Sequence, residues 1–175
     1  MRGVHHTGII VSDLERSVDW YREILGLELL TEPSPTADDP ELGEGLGVPG
    51  AALRMATFAV GTDVLELLEY SFPPSPIDTP MPQNALGSHH VGFLVDDIQA
   101  KYDELSAKGV HFFSPPNAID EGVLAGWRWA YFTDPDGITL ELVEVAYTRP
   151  EEERRRGVEN YLAARADRES QTTEG

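Results

Sequence analysis

His5–Leu14 reads HHTGIIVSDL, and His89–Ile98 reads HHVGFLVDDI. Both histidines, the glycine, the valine and one aspartate coincide column by column, and most other columns exchange one apolar residue for another. Repetition of this kind within 175 residues points to a duplicated structural unit. Residues 4–11 alternate and are rich in β-branched types, which predicts a strand. A helix is expected next, over SDLERSVDWYREILGL. Ser12 and Glu15 have capping-box spacing, and Leu14, Val18, Tyr21 and Leu25 recur at the helical period. Gly26 supplies a left-handed stop, and an extended segment resumes at Leu27–Thr31.

The second copy repeats this order. VGFLVDD predicts a strand, Ile98, Tyr102 and Leu105 mark a helix face ending at Gly109, and VHFFS returns in extended form. The two units also end alike, in VGTDVLELLEY (60–70) and DPDGITLELVEV (134–145), each a turn followed by a strand. ALRMATFAV (52–60) and GWRWAYFT (126–133) supply the strands before those turns. Each half therefore reads β-α-β-β-β, over about 3–72 and 87–146, in one domain spanning 3–146 with a Pro-rich linker at 73–86. The class is α+β. Residues 32–50 and 115–126 interrupt the symmetry as long loops, either binding loops or decoration. The charged segment 147–175 predicts a partial helix to about Ala166 followed by a disordered tail.

The chain has no cysteine, so disulfides, thiolate nucleophiles and Cys-based metal sites are excluded. A net charge of −18 argues against nucleic acid or an anionic membrane as a partner and suits a solvated acidic surface. No apolar run approaches a membrane span, and the first residues lack the layout of a signal peptide. The expected location is the cytoplasm and the expected partner a small molecule.

Strand alternation sorts the repeated polar residues. His6, Gly8 and Ile10 share one face, as do His90, Gly92 and Leu94. His5 and His89 fall on the opposite, more apolar face as packing or surface residues. Leu65 and Leu67, like Leu140 and Leu142, suit the helix side, which turns Glu66 and Glu141 to the other side. A carboxylate between leucines on a half-buried strand is costly unless it is paired or binds a cation. His6, Glu66, His90 and Glu141 thus become candidate metal ligands, two from each unit. Two imidazoles and two carboxylates suit Ni, Co, Zn, Fe or Mn, with positions left open for substrate oxygen or water. Glu69 and Glu144, also repeated, fall on the helix side, where a salt bridge or solvent is expected.

HTGIIVSDLERSVDWYREILGL, LELLEY, HHVGFLVDDI and DPDGITLELVE together resemble the vicinal oxygen chelate superfamily, which includes glyoxalase I, methylmalonyl-CoA epimerase, extradiol dioxygenases and bleomycin-resistance proteins. The resemblance spans roughly residues 4–145. It implies paired βαβββ modules whose mixed sheets curl around a metal cavity, often completed by dimerisation, so a homodimer is expected. The family's ligand positions fall on His6, Glu66, His90 and Glu141. It further implies chelation of vicinal oxygens by one divalent metal, with an enolate-like intermediate stabilised there. A carboxylate at Glu66 favours proton-transfer isomerisation, with Glu141 or Glu66 as the base. The expectation is a metal-dependent lyase or isomerase of glyoxalase I type acting on a small oxygenated metabolite. Rivals are an Fe(II)-dependent extradiol-type dioxygenase and a metal-independent, ligand-sequestering protein.

One epimerase feature is missing: the family's carboxylate on the third strand is expected near Arg54, which is basic. Arg54 suits either a substrate carboxylate or phosphate, or a salt bridge to a nearby acid. Trp127, Trp129 and Tyr131 share one strand face opposite Arg128, Ala130 and Phe132. That set suits an apolar substrate pocket or packing beneath the helix.

Overall fold

A computed structural model describes residues 4–61, 63–122 and 124–145. The first repeat forms β1 (His6–Ile10), α1 (Leu14–Glu23), β2 (Glu28–Thr31), α2 (Pro40–Leu46), β3 (Ala52–Val60) and β4 (Asp63–Phe72). The second forms β5 (Val91–Leu94), α3 (Ile98–Ala107), β6 (Asn117–Ala118), β7 (Arg128–Thr133) and β8 (Thr139–Glu144). The two four-stranded sheets run β1-β4-β3-β2 and β5-β8-β7-β6. Each is mixed and open: β1 lies parallel to β4 and β5 parallel to β8, while β2–β3, β3–β4 and β6–β7 are antiparallel. The expected β-α-β-β-β order is observed in the second repeat, and in the first with α2 added between β2 and β3. The segment 146–175, with its expected helix and tail, lies outside the described residues.

Alternation decides which side of each sheet is buried. In the first, Leu14, Val18 and Tyr21 of α1 are buried, as are Ala56, Phe58, Leu65 and Leu67. In the second, Phe93, Ile98, Ala130, Phe132, Leu140 and Leu142 are buried. Each large apolar side chain so buried stabilises the fold by about 1.5–3 kcal/mol. His5 and His89 do not join either core, since both are exposed.

Three local expectations are corrected. The N-cap of α1 is Asp13, whose carboxylate accepts from the Arg16 backbone N–H at 3.0 Å. Ser12 is turned elsewhere, giving its N–H and hydroxyl to the Asp136 carboxylate at 2.7 and 2.6 Å. VHFFS forms no strand; it is tied to β7 by Phe113 N–H to Tyr131 O and a Phe112–Phe132 bridge before Pro115 and Pro116 remove further donors. The fourth strand of the second sheet is instead β6, inside the expected loop 115–126. The other loop, 32–50, holds α2, capped by Asp39 and ended by Gly47 at φ 68°. It also pairs Ala37 with Leu53 along the edge of β3.

Compact units do not follow the repeat boundaries. Among the described residues, one comprises 4–90, 105–111 and 133–139; the other comprises 91–104, 112–132 and 140–145. Side-chain chemistry explains why the turn at 134–138 belongs with the first. Asp136 is held by Ser12 and by the Arg16 guanidinium, and Tyr21 donates to Asp134 at 3.2 Å. Asp134 also closes its own turn, accepting from the N–H groups of Asp136 and Ile138. Its burial raises its pKa to about 6, against the opposing pull of those two N–H bonds. No helix among the described residues is long and apolar enough to cross a membrane.

Candidate functional site

In the first unit, Gly8 of β1 stands directly opposite Glu66 of β4. A Cβ placed on Gly8 would meet Leu68 Cδ1 at 3.3 Å and Glu66 Oε2 at 3.9 Å. The glycine thus leaves the space over which the carboxylate lies. His6 points to the same side, its Nε2 3.9 Å from Glu66 Oε2, with the side chains 47% and 17% exposed. The Nδ1 atoms of His5 and His6 lie 2.9 Å apart, so one of the two rings donates there. Across the next ladder Glu66 faces Thr57, whose hydroxyl is engaged with that of Thr31 at 2.8 Å.

The second unit repeats the arrangement more tightly. Gly92 opposes Glu141, and a Cβ on Gly92 would fall 3.2 Å from Glu141 Oε2 and 3.4 Å from Val143 Cγ2. Glu141 hydrogen-bonds the Tyr131 hydroxyl. Burial, then the charge of Glu141 and that bond, raise the Tyr131 pKa. The Trp129 ring packs 5.2 Å from the Tyr131 ring. Ala130 and Phe132 fill the buried side of the same strand. Trp127 precedes β7, half-buried, with its backbone bonded to Leu124 and Ile119.

Arg54 lies on the other face. It opposes Glu69, alternating with Ala56 and Phe58, and its guanidinium reaches Glu15 at 2.5 Å and Glu69 at 3.8 Å. The hydrogen bond from Arg54, with a smaller contribution from its charge, lowers the Glu15 pKa. Arg128 repeats the device, 3.7 Å from Glu144 and 3.5 Å from Gln99 at the start of α3. Glu144 further accepts the Ile98 N–H at 2.7 Å. Glu69 and Glu144 are therefore in ion pairs on the helix side.

Of the four candidate ligands, His6 and Glu66 come together. His90 is exposed and belongs to the first compact unit, whereas Glu141 belongs to the second. Among the described residues, no three His, Asp or Glu side chains converge closely enough to share a metal ion. The donor chemistry nevertheless fits one: neutral imidazole and carboxylate suit first-row divalent ions, and each carboxylate lies over a glycine that gives it room. The Tyr131–Glu141 bond was not foreseen from sequence. Counting back across the 134–138 turn pairs residue 131 with 141, as 57 pairs with 66, and that arithmetic would have found it.

Comparison with known proteins gives consistent results. The sequence model of the Glyoxalase/Bleomycin resistance protein/Dioxygenase superfamily matches residues 3–142. A 2-epi-5-epi-valiolone epimerase from an Actinomyces species is 34% identical over 86% of this chain and 83% of its own length. A lactoylglutathione lyase from Pseudomonas aeruginosa is 27% identical, over 81% and 82%. Among solved structures, a glyoxalase family protein from Bacillus cereus shares the fold with a TM-score of 0.69, at 23% identity, over 84% of this chain and 96% of that one.

Proposed function

The chain belongs to the Glyoxalase/Bleomycin resistance protein/Dioxygenase superfamily, and from that premise we propose that it is a divalent-metal-dependent isomerase. In this reading it shifts a proton on a carbon next to a carbonyl of a small, multiply oxygenated metabolite. The observation that carries the reading is the carboxylate laid over a glycine in each repeat, Glu66 over Gly8 and Glu141 over Gly92. Support also comes from relatives that include an epimerase and a lyase.

His6, Glu66, His90 and Glu141 would hold the metal. A divalent ion there would stabilise the charge that develops on the substrate's carbonyl oxygen as the neighbouring C–H bond breaks. Glu141 takes the proton from that carbon, and the Tyr131 hydroxyl orients its carboxylate. For epimerisation, Glu66 in its protonated form would deliver a proton from solvent to the opposite face, and Glu141 would release the abstracted proton to water. Return of the abstracted proton to the adjacent carbon by Glu141 gives the lyase-type isomerisation. Trp129 supplies an apolar wall that limits water. Arg54, on the far face, enters neither step.

The test uses protein stripped with chelator and reloaded with Ni, Co, Zn, Fe or Mn. Each form is incubated in deuterated water with cyclic polyhydroxy ketones, 2-epi-5-epi-valiolone among them, and with lactoylglutathione. Metal-dependent deuterium incorporation next to the carbonyl, lost in Glu141→Gln, is expected. Oxygen uptake without such exchange overturns the reading.

A further inference from the structure

Across the first sheet, one row of opposed residues continues from Glu66 to a pair of hydroxyls. Gly8 of β1 opposes Glu66 of β4, Glu66 opposes Thr57 of β3, and Thr57 opposes Thr31 of β2. Directly opposed residues share a face, so both threonines lie on the side that Glu66 occupies. Thr31 reaches that side through a bulge. Leu29 pairs with Phe58 and Thr31 with Thr57, which leaves Leu30 between them without a ladder partner. Phe58 belongs to the core, so plain alternation would return Thr31 to the core side two residues after Leu29. The extra residue turns it to the open side instead.

Hydrogen-bonding capacity remains on the pair. Thr31 Oγ1 accepts the Thr57 N–H at 3.0 Å and lies 2.8 Å from Thr57 Oγ1. A hydroxyl brings one hydrogen and two acceptor positions. The contact between the threonines uses one of their two hydrogens, whichever of them donates. The pair keeps one O–H to give and, on Thr57, at least one acceptor position. An adjacent donor and acceptor match a hydroxyl group, which gives and takes at once; a carbonyl, an ether or a carboxylate would use only the donor. In the second repeat, the residue opposite the carboxylate is Tyr131, whose hydroxyl is bonded to Glu141. Thr57 instead turns its hydroxyl to Thr31, a half-buried group beside an exposed one.

We propose that Thr31 and Thr57 determine specificity by binding a hydroxyl of a neutral, polyhydroxylated ketone whose reacting carbon lies over Glu66. This rests on the reading of the site as that of a proton-transferring isomerase. The strands of Glu66 and Thr57 are neighbours, about 4.8 Å apart, so a hydroxyl at the pair and a carbon over the carboxylate fit within a small ring. Met55 and Leu68, opposed on the same face, give that ring's C–H edge an apolar border. Charge favours a neutral ligand. Arg16, Arg22, Arg54 and Lys108, the described cations of this compact unit, are held by Asp136, Asp19, Glu15 and the Ile24 carbonyl. A phosphate or carboxylate on the ligand would meet Glu66 with none of them free to offset the repulsion.

Metal-loaded protein is titrated calorimetrically with a pentahydroxycyclohexanone and with an α-hydroxycyclohexanone. The second ketone keeps the carbonyl and its neighbouring hydroxyl and lacks the other hydroxyls. The parent should bind the first about tenfold more tightly, the scale of one or two hydrogen bonds. Thr57→Val, of nearly the same shape, should abolish that preference, and Thr57→Ser should keep it. Equal affinities in the parent, a preference that survives Thr57→Val, one that Thr57→Ser loses, or binding of neither ketone would each overturn the proposal. Deuterium exchange next to the carbonyl, followed in parallel, separates it from the isomerase reading. A hydroxyl-dependent preference without exchange refutes the isomerase and leaves the threonine pair its binding role; exchange without preference does the reverse.

Discussion

Gly92 and Glu141 face each other across the β5–β8 ladder so closely that a Cβ on the glycine would sit 3.2 Å from the carboxylate oxygen. Gly8 and Glu66 repeat the relationship at 3.9 Å. The glycines are thus part of the carboxylates' geometry, and the two repeats should tolerate a methyl group unequally.

Gly92→Ala should displace the Glu141 carboxylate while leaving the backbone in place, because Gly92 needs no positive φ. Turnover is expected to fall by about 10²-fold, the scale of a misplaced catalytic group. Metal affinity, followed by calorimetric titration, should fall with it. Gly8→Ala presses first on Leu68 and should act more weakly. Equal effects of the two substitutions would contradict the geometry.

Tyr131→Phe removes the hydroxyl bonded to Glu141 and keeps the ring against Trp129. Loss of one orienting hydrogen bond should lower kcat about tenfold with little change in KM. Thermal melts should remain close to the parent's. A rise in KM alone would make Tyr131 a substrate contact instead.

Asp134 gives a pH dependence of stability. Its folded pKa is about 6, against an ordinary value of 3.8, so folding favours the protonated form. The resulting stabilisation is complete below the ordinary value and is lost as pH rises through about 6. Asp134→Asn keeps an oxygen to accept from Asp136 and Ile138 N–H but no longer titrates. Relative to the parent, this variant should gain about 1–2 kcal/mol between about pH 5 and pH 8. Denaturant melts at the two pH values measure it, and a parallel response of both proteins would refute it.

Arg54→Ala should lower Tm by a few degrees, since its guanidinium joins Glu15 of α1 to Glu69 of β4. Buried Glu69 Oε2 already has no hydrogen-bond partner among the described residues, so removal of the nearby cation acts on an exposed weakness. KM should stay within about twofold, the expectation for a side chain on the face opposite Glu66. A large rise in KM would return Arg54 to the substrate site.

Alternation was the informative part of the sequence. It assigned Glu66 and Glu141 to one face and Leu65, Leu67, Leu140 and Leu142 to the buried one, because a period of two leaves a strand residue no other choice. The same logic located Glu69 and Glu144 on the helix side. Alternation fails where the outcome depends on a partner distant in sequence. Ser12 has the spacing of a capping residue, yet Asp136 competes for it from 124 positions away. VHFFS has the composition of a strand, but two prolines follow and β6 occupies the edge. His90 is legible as a counterpart of His6, whereas its three-dimensional neighbours are not, because a column match carries no distance.

The grip of α1 on the 134–138 turn bears on how such a chain can be divided. A break in the Pro-rich linker would separate Ser12, Arg16 and Tyr21 from the aspartates that satisfy them. Neither fragment would then be self-sufficient, and the two would serve each other as folding templates. Reassembly of the severed pieces in one cell would restore a chain-to-chain clasp. That property would make this scaffold a candidate for a split reporter in which activity signals the meeting of two fused proteins.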